Sequence, residues 1–256
     1  MNQLQRPAGR PRVHAGSGAR RRAGQYCPTV HVTSLRRYPV KALGGESLHR
    51  VALDERGLAG DRWFAVVDGD GRFAALKDTR RFRRRDAVVG YTAETTADGD
   101  VVVRCGDEAW LVGDPALDRH LTAATGTPQR VTPEGAVSHQ DGGAVSLVGT
   151  ATLAWCAQRW GGDTDARRLR VNVVVETDEP FVEEAWVGRR LVIGSALLAV
   201  TERVPRCRTV DVPQDGASPD APWLKHLGAE RDLCLSVYAE VAAPGTIAVG
   251  DAVVIS

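Results

Sequence analysis

The sequence lacks the paired cysteines that mark small metal-binding and redox modules. Its five cysteines are odd in number and widely spaced, and no C-x-x-C motif occurs; they are Cys27, Cys105, Cys156, Cys207 and Cys234. Zinc ribbons and thioredoxin-like redox pairs are therefore excluded, because their signature is missing. A chain of 256 residues is long enough to bury a core without disulfides. We predict five reduced thiols and a cytoplasmic location.

Long apolar segments are also absent. The longest apolar run, residues 191–200 (LVIGSALLAV), has about half of the ~20 residues that a membrane-spanning helix needs. No apolar segment follows the three arginines at 20–22, which excludes a twin-arginine export signal. No Gly-rich loop fits a nucleotide-binding fingerprint, and no internal repeat occurs. The sequence therefore predicts no membrane association.

Acidic residues are missing from the first 45 positions, which contain nine Lys or Arg. Residues 1–29 hold six of these arginines and few large apolar side chains, so we predict a disordered basic leader. A basic arm for nucleic acid is the less favoured alternative for this leader. Over the whole chain, 33 basic and 32 acidic residues leave a net charge of +1. That balance gives no reason to expect a nucleic-acid partner.

The rest of the chain predicts a mainly β fold of the α+β type. With 43% hydrophobic and 25% charged residues, its composition is that of a globular protein. Short apolar runs separated by Gly, Pro and Asp predict a small β-barrel-like domain over residues 30–114. A larger β-barrel domain is predicted over residues 115–256. Its predicted strands include residues 171–175, 191–201, 233–241 and 246–255.

Two helices are predicted in the second domain. The first begins at Pro115, because Asp114 is a good N-cap and proline is favoured at the first helical position, and it extends to about Ala123. The second begins at Thr150 and places apolar residues on one face before it ends at Gly161.

Cys207 stands apart from the other cysteines. It follows the predicted strand 191–201 in the segment VPRCRTVD, where Pro205 should end the strand and place the thiol on a loop. The flanking arginines, Arg206 and Arg208, favour a thiolate over a thiol. A thiolate at a strand end can be a nucleophile or a ligand for a soft metal. An inert thiol beside two solvated arginines is the alternative interpretation.

Basic residues at predicted strand ends and turns form a second candidate group. They are Lys41, Arg62, Lys77 and Arg170. Each one alone is typical of a solvated surface charge, but together they suit an anionic ligand that carries phosphate. Residues 80–85 (RRFRRR) are the only dense basic run after the leader, and no function is assigned to them.

Five segments, in order along the chain, resemble the MOSC domain and the N-terminal β-barrel domain that precedes it. The segments are residues 38–41 (YPVK) with 57–63 (GLAGDRW), 170–174 (RVNVV), 181–194 (FVEEAWVGRRLVIG), 205–211 (PRCRTVD) and 244–251 (PGTIAVGD). The resemblance implies a MOSC β-barrel with a smaller N-terminal β domain. Proteins that this chain resembles include the mitochondrial amidoxime-reducing component and bacterial reductases of N-hydroxylated bases.

The resemblance also implies a cofactor, the molybdenum cofactor (Mo-molybdopterin). Cys207 would be the catalytic residue and the one protein ligand to molybdenum. The residues implied to hold the pterin and its phosphate are Lys41, Arg62, Lys77, Asp141, Gly142, Arg170, Asn172, Arg206 and Tyr238. The sequence departs from the family pattern in four places. Ala42 replaces a frequent serine, Lys77 replaces an arginine, Pro205 lies where some relatives carry serine, and the loop 138–143 differs as well.

The function implied by the resemblance is the reduction of small N-hydroxylated or other N-oxygenated compounds. Since the sequence contains no four-cysteine cluster motif, the electrons are expected from a separate protein of the ferredoxin, flavodoxin or cytochrome type with its reductase. A carrier that delivers the molybdenum cofactor or persulfide sulfur is the main alternative. A member with an unrelated substrate, or one without the metal, is the third.

Overall fold

The computed structural model describes residues 30–217 and 220–256, and there it forms nineteen strands and three α-helices. The predicted basic leader and Cys27 lie outside these residues. The strands are β1 (Val30–Arg37), β2 (Val40–Lys41), β3 (Glu46–Leu48), β4 (Arg50–Asp54), β5 (Gly57–Leu58), β6 (Phe64–Asp68), β7 (Phe73–Ala75), β8 (Phe82–Arg84), β9 (Thr92–Thr95), β10 (Val101–Cys105), β11 (Glu108–Leu111), β12 (Gln129–Pro133), β13 (Val145–Gly149), β14 (Val173–Val175), β15 (Arg190–Ile193), β16 (Ala196–Pro205), β17 (Cys234–Ala243), β18 (Gly245–Ala248) and β19 (Ala252–Ile255). The helices are α1 (Pro115–Thr125), α2 (Thr150–Trp160) and α3 (Trp223–Glu230).

Seven strands close into a barrel. Their order is β14-β13-β17-β16-β15-β19-β1, and β1 pairs back onto β14. The pairings are antiparallel except for β13 with β14, where Leu147 lies opposite Val173 in a parallel pair. Closure leaves no free sheet edge among these seven strands, and their inward apolar side chains form the main core. The prediction of a mainly β fold with a few helices is confirmed.

A smaller unit packs beside the barrel. It contains the sheet β12-β6-β7-β8, to which β2 adds alongside β6, and the three-stranded sheet β11-β10-β9. Helix α1 covers a separate apolar cluster in this unit through Leu117 and Leu121. The strand pairing crosses the boundary predicted between residues 114 and 115 in both directions. The reason is that β1 completes the barrel, while α1 and β12 complete the smaller unit.

Two long predicted strands are each divided into two shorter strands in the structure, and only the first pair, β15 and β16, forms a hairpin. Residues 191–201 divide into β15 and β16 at Gly194, which has a φ of +56°; a Cβ there would lie 2.3 Å from the Thr246 carbonyl oxygen. Residues 246–255 divide into β18 and β19 at Gly250, whose φ is +91°. Both glycines adopt left-handed backbone conformations that end a strand, which apolar content alone does not reveal.

The helices follow their local signals. Asp114 accepts a hydrogen bond from the Ala116 amide at 2.7 Å and caps α1, as predicted, and Gly126 ends the helix in a left-handed conformation. Helix α2 has the predicted start and end. Helix α3 was not predicted. Within the residues described, none of the helices combines the length and the apolar character required to cross a membrane.

Candidate functional site

Cys207 lies on a loop at the end of the longest barrel strands. Strand β16 ends at Pro205, which lies opposite Cys234 of β17, and a 3-10 turn follows over Arg208–Asp211. The half-buried thiol contacts the Thr209 hydroxyl, with 3.2 Å between Sγ and Oγ1. The predicted effect of Pro205 is therefore confirmed: the strand stops and the thiol is placed on a loop.

The loop opens into a cavity of about 290 Å³ between the barrel and the smaller unit. The residues that the sequence singled out all line it: Lys41, Arg62, Lys77, Asp141, Gly142, Arg170, Asn172, Arg206, Cys207 and Tyr238. They are brought together from segments up to 197 positions apart in the sequence. Among the described residues, Cys207 is the only cysteine in the lining.

Positive charge dominates the cavity wall. Six of its lining residues are Lys or Arg and two are Asp or Glu. Lys41 and Arg62 have carboxylate partners, Asp141 and Asp61 respectively. Arg170 and Arg206 have no carboxylate within 4 Å in the part of the chain that the structure describes. Their charges are thus left for a ligand, and an anion is the kind of ligand that such a wall binds.

Arg170 is held by neutral groups. It caps the 3-10 turn Ala166–Leu169 with a φ of +54°. Its guanidinium donates to the Leu43 carbonyl at 2.7 Å and to the Gln214 side-chain oxygen at 3.2 Å. Desolvation of this half-buried side chain lowers the pKa of Arg170 below its ordinary value.

Tyr38 lies beneath three guanidinium groups. The ring centroid is 4.3 Å from the guanidinium carbon of Arg170, 5.1 Å from that of Arg62 and 5.8 Å from that of Arg36. The ring is fully buried, and its hydroxyl has no hydrogen-bond partner among the described residues. Burial raises the pKa of Tyr38, so the ring stays neutral. It therefore orients the guanidinium groups by stacking without neutralising their charge.

Arg206 and Arg208, which flank Cys207, are both bound to groups other than the thiol. Arg206 donates to the carbonyls of Leu235 at 2.8 Å and Leu169 at 2.7 Å, and to the Ser236 hydroxyl. Burial lowers the pKa of Arg206 to about 10. Arg208 forms an ion pair with Asp86 at 2.7 Å. In the described residues neither guanidinium donates a hydrogen bond to the sulfur, and the effect of the two arginine charges on the thiol stays a prediction.

Lys41 connects the smaller unit to the loop that carries Asp141. Its ammonium donates to the His139 carbonyl at 2.6 Å and to Asp141 at 3.0 Å. Burial lowers the pKa of Lys41 to about 8, although Asp141 acts against this shift. Desolvation would raise the pKa of Asp141, but the charges of Lys41 and Lys77 outweigh it and keep that pKa below its ordinary value. Lys77 itself is half-buried, with Nζ 4.9 Å from the centroid of the Phe82 ring.

Gly142 and Gly143 allow the same loop to pack on Tyr238. A Cβ on Gly142 would lie 2.8 Å from Cε2 of the tyrosine ring, and one on Gly143 would lie 2.7 Å from Cβ of Tyr238. The side chain of Asn172 is held between strands, because its Oδ1 accepts from the Ser146 amide at 3.1 Å and the Ser146 hydroxyl at 3.0 Å. The packing on Tyr238 and the hydrogen bonds of Asn172 hold this part of the cavity wall in place.

Three lining residues other than glycine have left-handed backbones. The φ angles are +71° at Ala42, +55° at Arg62 and +54° at Arg170. Such conformations are sparsely populated for side chains of this kind and persist only where the surroundings enforce them. They place the two guanidinium groups on the wall, and the sequence carries no glycine or asparagine signal for them.

Sequence reasoning missed several lining residues. Those with polar side chains are Gln140, Ser146, Arg168, Glu202, Thr209 and Gln214. Arg168 is fully buried, with its guanidinium carbon 3.8 Å from the centroid of the Trp223 ring. Its position two residues before Arg170 was the available signal, but nothing in the local sequence separates a buried arginine from a solvated one.

The ligand set at the cavity suits a metal that arrives with its own ligands. No group of three or more His, Cys, Asp or Glu side chains that could hold a metal occurs within residues 30–217 and 220–256. One soft thiol and a cationic wall, by contrast, fit a metal that is chelated by an anionic organic cofactor. The fold and site thus define a β-barrel protein with a cation-rich cavity and, among the described residues, a single cysteine in its lining.

Family models match nearly the whole chain. The MOSC domain matches residues 134–254 and the MOSC N-terminal beta barrel domain matches residues 29–147. The chain belongs to the MOSC domain family. MOSC domains are associated with molybdenum-cofactor binding, and the family includes molybdenum-cofactor sulfurases and reductases. No curated protein sequence matches the chain.

Three of the solved structures to which this chain is similar are bacterial proteins. The YuaD protein from Bacillus subtilis is 13% identical with a TM-score of 0.48, over 89% of this chain and 95% of that one. YiiM from Geobacillus stearothermophilus is 19% identical with a TM-score of 0.34, over 44% and 54%. YiiM from Escherichia coli is 11% identical with a TM-score of 0.40, over 88% and 69%.

Proposed function

We propose that this protein is a molybdenum-cofactor-binding oxidoreductase that reduces N-hydroxylated or other N-oxygenated compounds. The observation that carries the proposal is the single half-buried thiol, Cys207, at a cavity where two half-buried guanidinium groups have no carboxylate partner among the described residues. Electrons are supplied by a separate redox protein, and the cytoplasmic location stays a prediction.

The residues present fit this cofactor. Arg170 and Arg206 offer positive charge to its phosphate, and Lys41 and Arg62 add charge that their own carboxylates partly offset. The apolar lining of Ala75 and Leu76 is suited to a planar ring system. Cys207 supplies the soft ligand that molybdenum requires from the protein.

Each group of the wall has a defined task. Tyr38 keeps the planes of Arg62 and Arg170 in place, so the phosphate meets preformed donors. Tyr238 and the Gly142–Gly143 loop limit the space next to the cofactor. When bound, the cofactor supplies two-electron redox chemistry with transfer of oxygen from nitrogen. Cys207 would hold the metal and would tune its potential.

The test is turnover by purified holoprotein with a small chemical reductant and a hydroxylamine or an N-hydroxylated base. We expect many turnovers with the pterin retained, and loss of turnover in Cys207→Ser. Cys234→Ser is the matched control, because Cys234 lies opposite Pro205 but does not line the cavity. Full activity in Cys207→Ser would refute the assignment of the thiol as a ligand.

A carrier of cofactor or persulfide sulfur is the second candidate. It is favoured by the position of the thiol, which lies on a loop at the cavity and is only half-buried. The two functions differ in what leaves the protein. Absence of turnover with any N-oxygenated compound, together with rapid transfer of the cofactor to an apoenzyme, would establish the carrier.

A further inference from the structure

A strongly basic segment runs beside the cavity. Residues 77–86 contain six Lys or Arg and two Asp. Leu76, Lys77 and Phe82 line the cavity together with Cys207. Arg208, next to Cys207, joins the segment by donating to the Leu76 carbonyl at 3.4 Å and to Asp86 at 2.7 Å. The segment therefore forms one side of the cavity at the Cys207 loop.

Only part of this charge is neutralised. Asp86 accepts hydrogen bonds from both Arg84 and Arg208, and the bonds from Arg84 are the main reason that its pKa is lowered to about 2. In the described parts of the chain, Arg80 and Arg83 have no carboxylate within 4 Å. Arg80 is exposed and Arg83 is half-buried. The segment thus presents an excess of cations to solvent.

Arg81 anchors the segment. Its guanidinium carbon lies 5.3 Å from the centroid of the Phe73 ring and 5.2 Å from that of Phe82. The same guanidinium donates to the carbonyls of Ser138 and Gln140 in the loop that leads to Asp141. The neighbouring cations are therefore held at a fixed place beside the cavity, where a partner with opposite charge can recognise them.

We propose that this basic rim, formed by Lys77, Arg80, Arg83, Arg84 and Arg208, docks the acidic face of a small electron-transfer protein. The inference rests on the proposed function, because a cofactor in the cavity has to receive electrons from outside. Arg208 follows Cys207 directly and connects the rim to the Cys207 loop through the Leu76 carbonyl and Asp86. Residues 30–256 contain 27 Lys or Arg and 32 Asp or Glu, so the rim is a local basic patch on an acidic body. A compact acidic patch suits it better than an extended nucleic acid does.

The experiment compares two kinds of electron donor on the holoprotein. Reduced acidic flavodoxin and ferredoxin are the protein donors, and reduced methyl viologen is the small donor. In Arg80→Glu/Arg83→Glu we expect kcat/KM for the protein donors to fall about tenfold or more at low ionic strength, because electrostatic steering is reversed. Viologen-driven turnover should not fall. The control is Arg189→Glu/Arg190→Glu, which changes the same charge at exposed residues outside the cavity.

The outcomes separate the two proposals. If viologen drives turnover but neither acidic protein does, or if the rim and control variants respond alike, the docking proposal is wrong and the proposed function stands. If viologen also gives no turnover in the wild-type holoprotein, the proposed function fails. Reduced affinity of the rim variant for a DNA duplex, with unchanged donor-driven turnover, would instead assign the rim to nucleic acid.

Discussion

Replacing Lys41 by methionine should stabilise the protein without cofactor and weaken its hold on the cofactor. Lys41 is 5% exposed, and its ammonium group faces a wall that also carries Arg62. Burial lowers its pKa from 10.5 to about 8, even with Asp141 beside it. The charged form is therefore held in the folded protein at a net cost in stability.

The size of the effect follows from the two pKa values. A lowering from 10.5 to about 8 corresponds to roughly 3 kcal/mol of unfavourable free energy below pH 8. Lys41→Met removes this unfavourable free energy, but part of the stabilisation is lost because the His139 carbonyl loses its hydrogen-bond donor. Asp141 also loses its partner, at little cost, because its side chain is 48% exposed and water can solvate it. We expect the free energy of unfolding at pH 7 to rise by about 1–3 kcal/mol.

Urea denaturation of the cofactor-free protein measures this change. Between pH 8 and pH 10.5, Lys41 keeps its proton in the unfolded protein and loses it in the folded protein. The unfolding free energy of the wild type therefore rises with pH, and its difference from that of Lys41→Met becomes smaller. Lys77→Met, at a half-buried lysine of the same cavity, should change stability by less than about 0.5 kcal/mol. A loss of stability of about 1 kcal/mol or more in Lys41→Met would refute the reasoning.

Three further predictions concern residues around the cavity. Hydrogen bonds from Arg56 lower the pKa of Glu134 from 4.5 to about 2, so Glu134→Gln should lose about 1–3 kcal/mol of stability at pH 7. In urea denaturation the difference in unfolding free energy between wild type and variant should shrink as the pH falls from 4.5 to 2. A difference that stays constant over this pH range would contradict the prediction. Tyr38→Phe should retain the cofactor, because the Tyr38 hydroxyl has no hydrogen-bond partner among the described residues. Tyr38→Leu should lose about tenfold in cofactor affinity, because the aromatic ring that stacks on the Arg170 guanidinium is removed. Equal losses for the two variants in pterin-retention assays would show that the ring is not the cause. Arg170→Ala should weaken cofactor retention about tenfold to a hundredfold, since an arginine–phosphate contact contributes roughly 1.5–3 kcal/mol, and unchanged retention in the same assay would remove Arg170 from the site.

Local signals predicted the parts of the structure that local chemistry decides. The Asp114-Pro115 pair placed the start of α1, and Pro205 placed the end of β16 and the exposure of the Cys207 loop. The hairpin at Gly194 was missed because its turn depends on close approach to Thr246, which is distant in sequence.

The candidate site shows the same division between local and distant effects. Strand-end position and residue type were enough to select cations such as Arg170, which does line the cavity. The stacking on Tyr38 arises only when the residues between β1 and β2 meet the segment before β14. The full burial of Arg168 arises only when that segment meets Val210 and Trp223. Pairing of β1 with β14 spans more than a hundred positions, and no local pattern encodes it.

The most direct test of the central claim is the molybdenum and pterin content of protein purified from a host that makes the cofactor. We predict stoichiometric molybdenum and pterin in the wild type and in Cys234→Ser. Molybdenum should be lost in Cys207→Ser, since a neutral hydroxyl replaces the soft thiolate ligand. Full molybdenum content in Cys207→Ser, or a wild type without pterin, would contradict it.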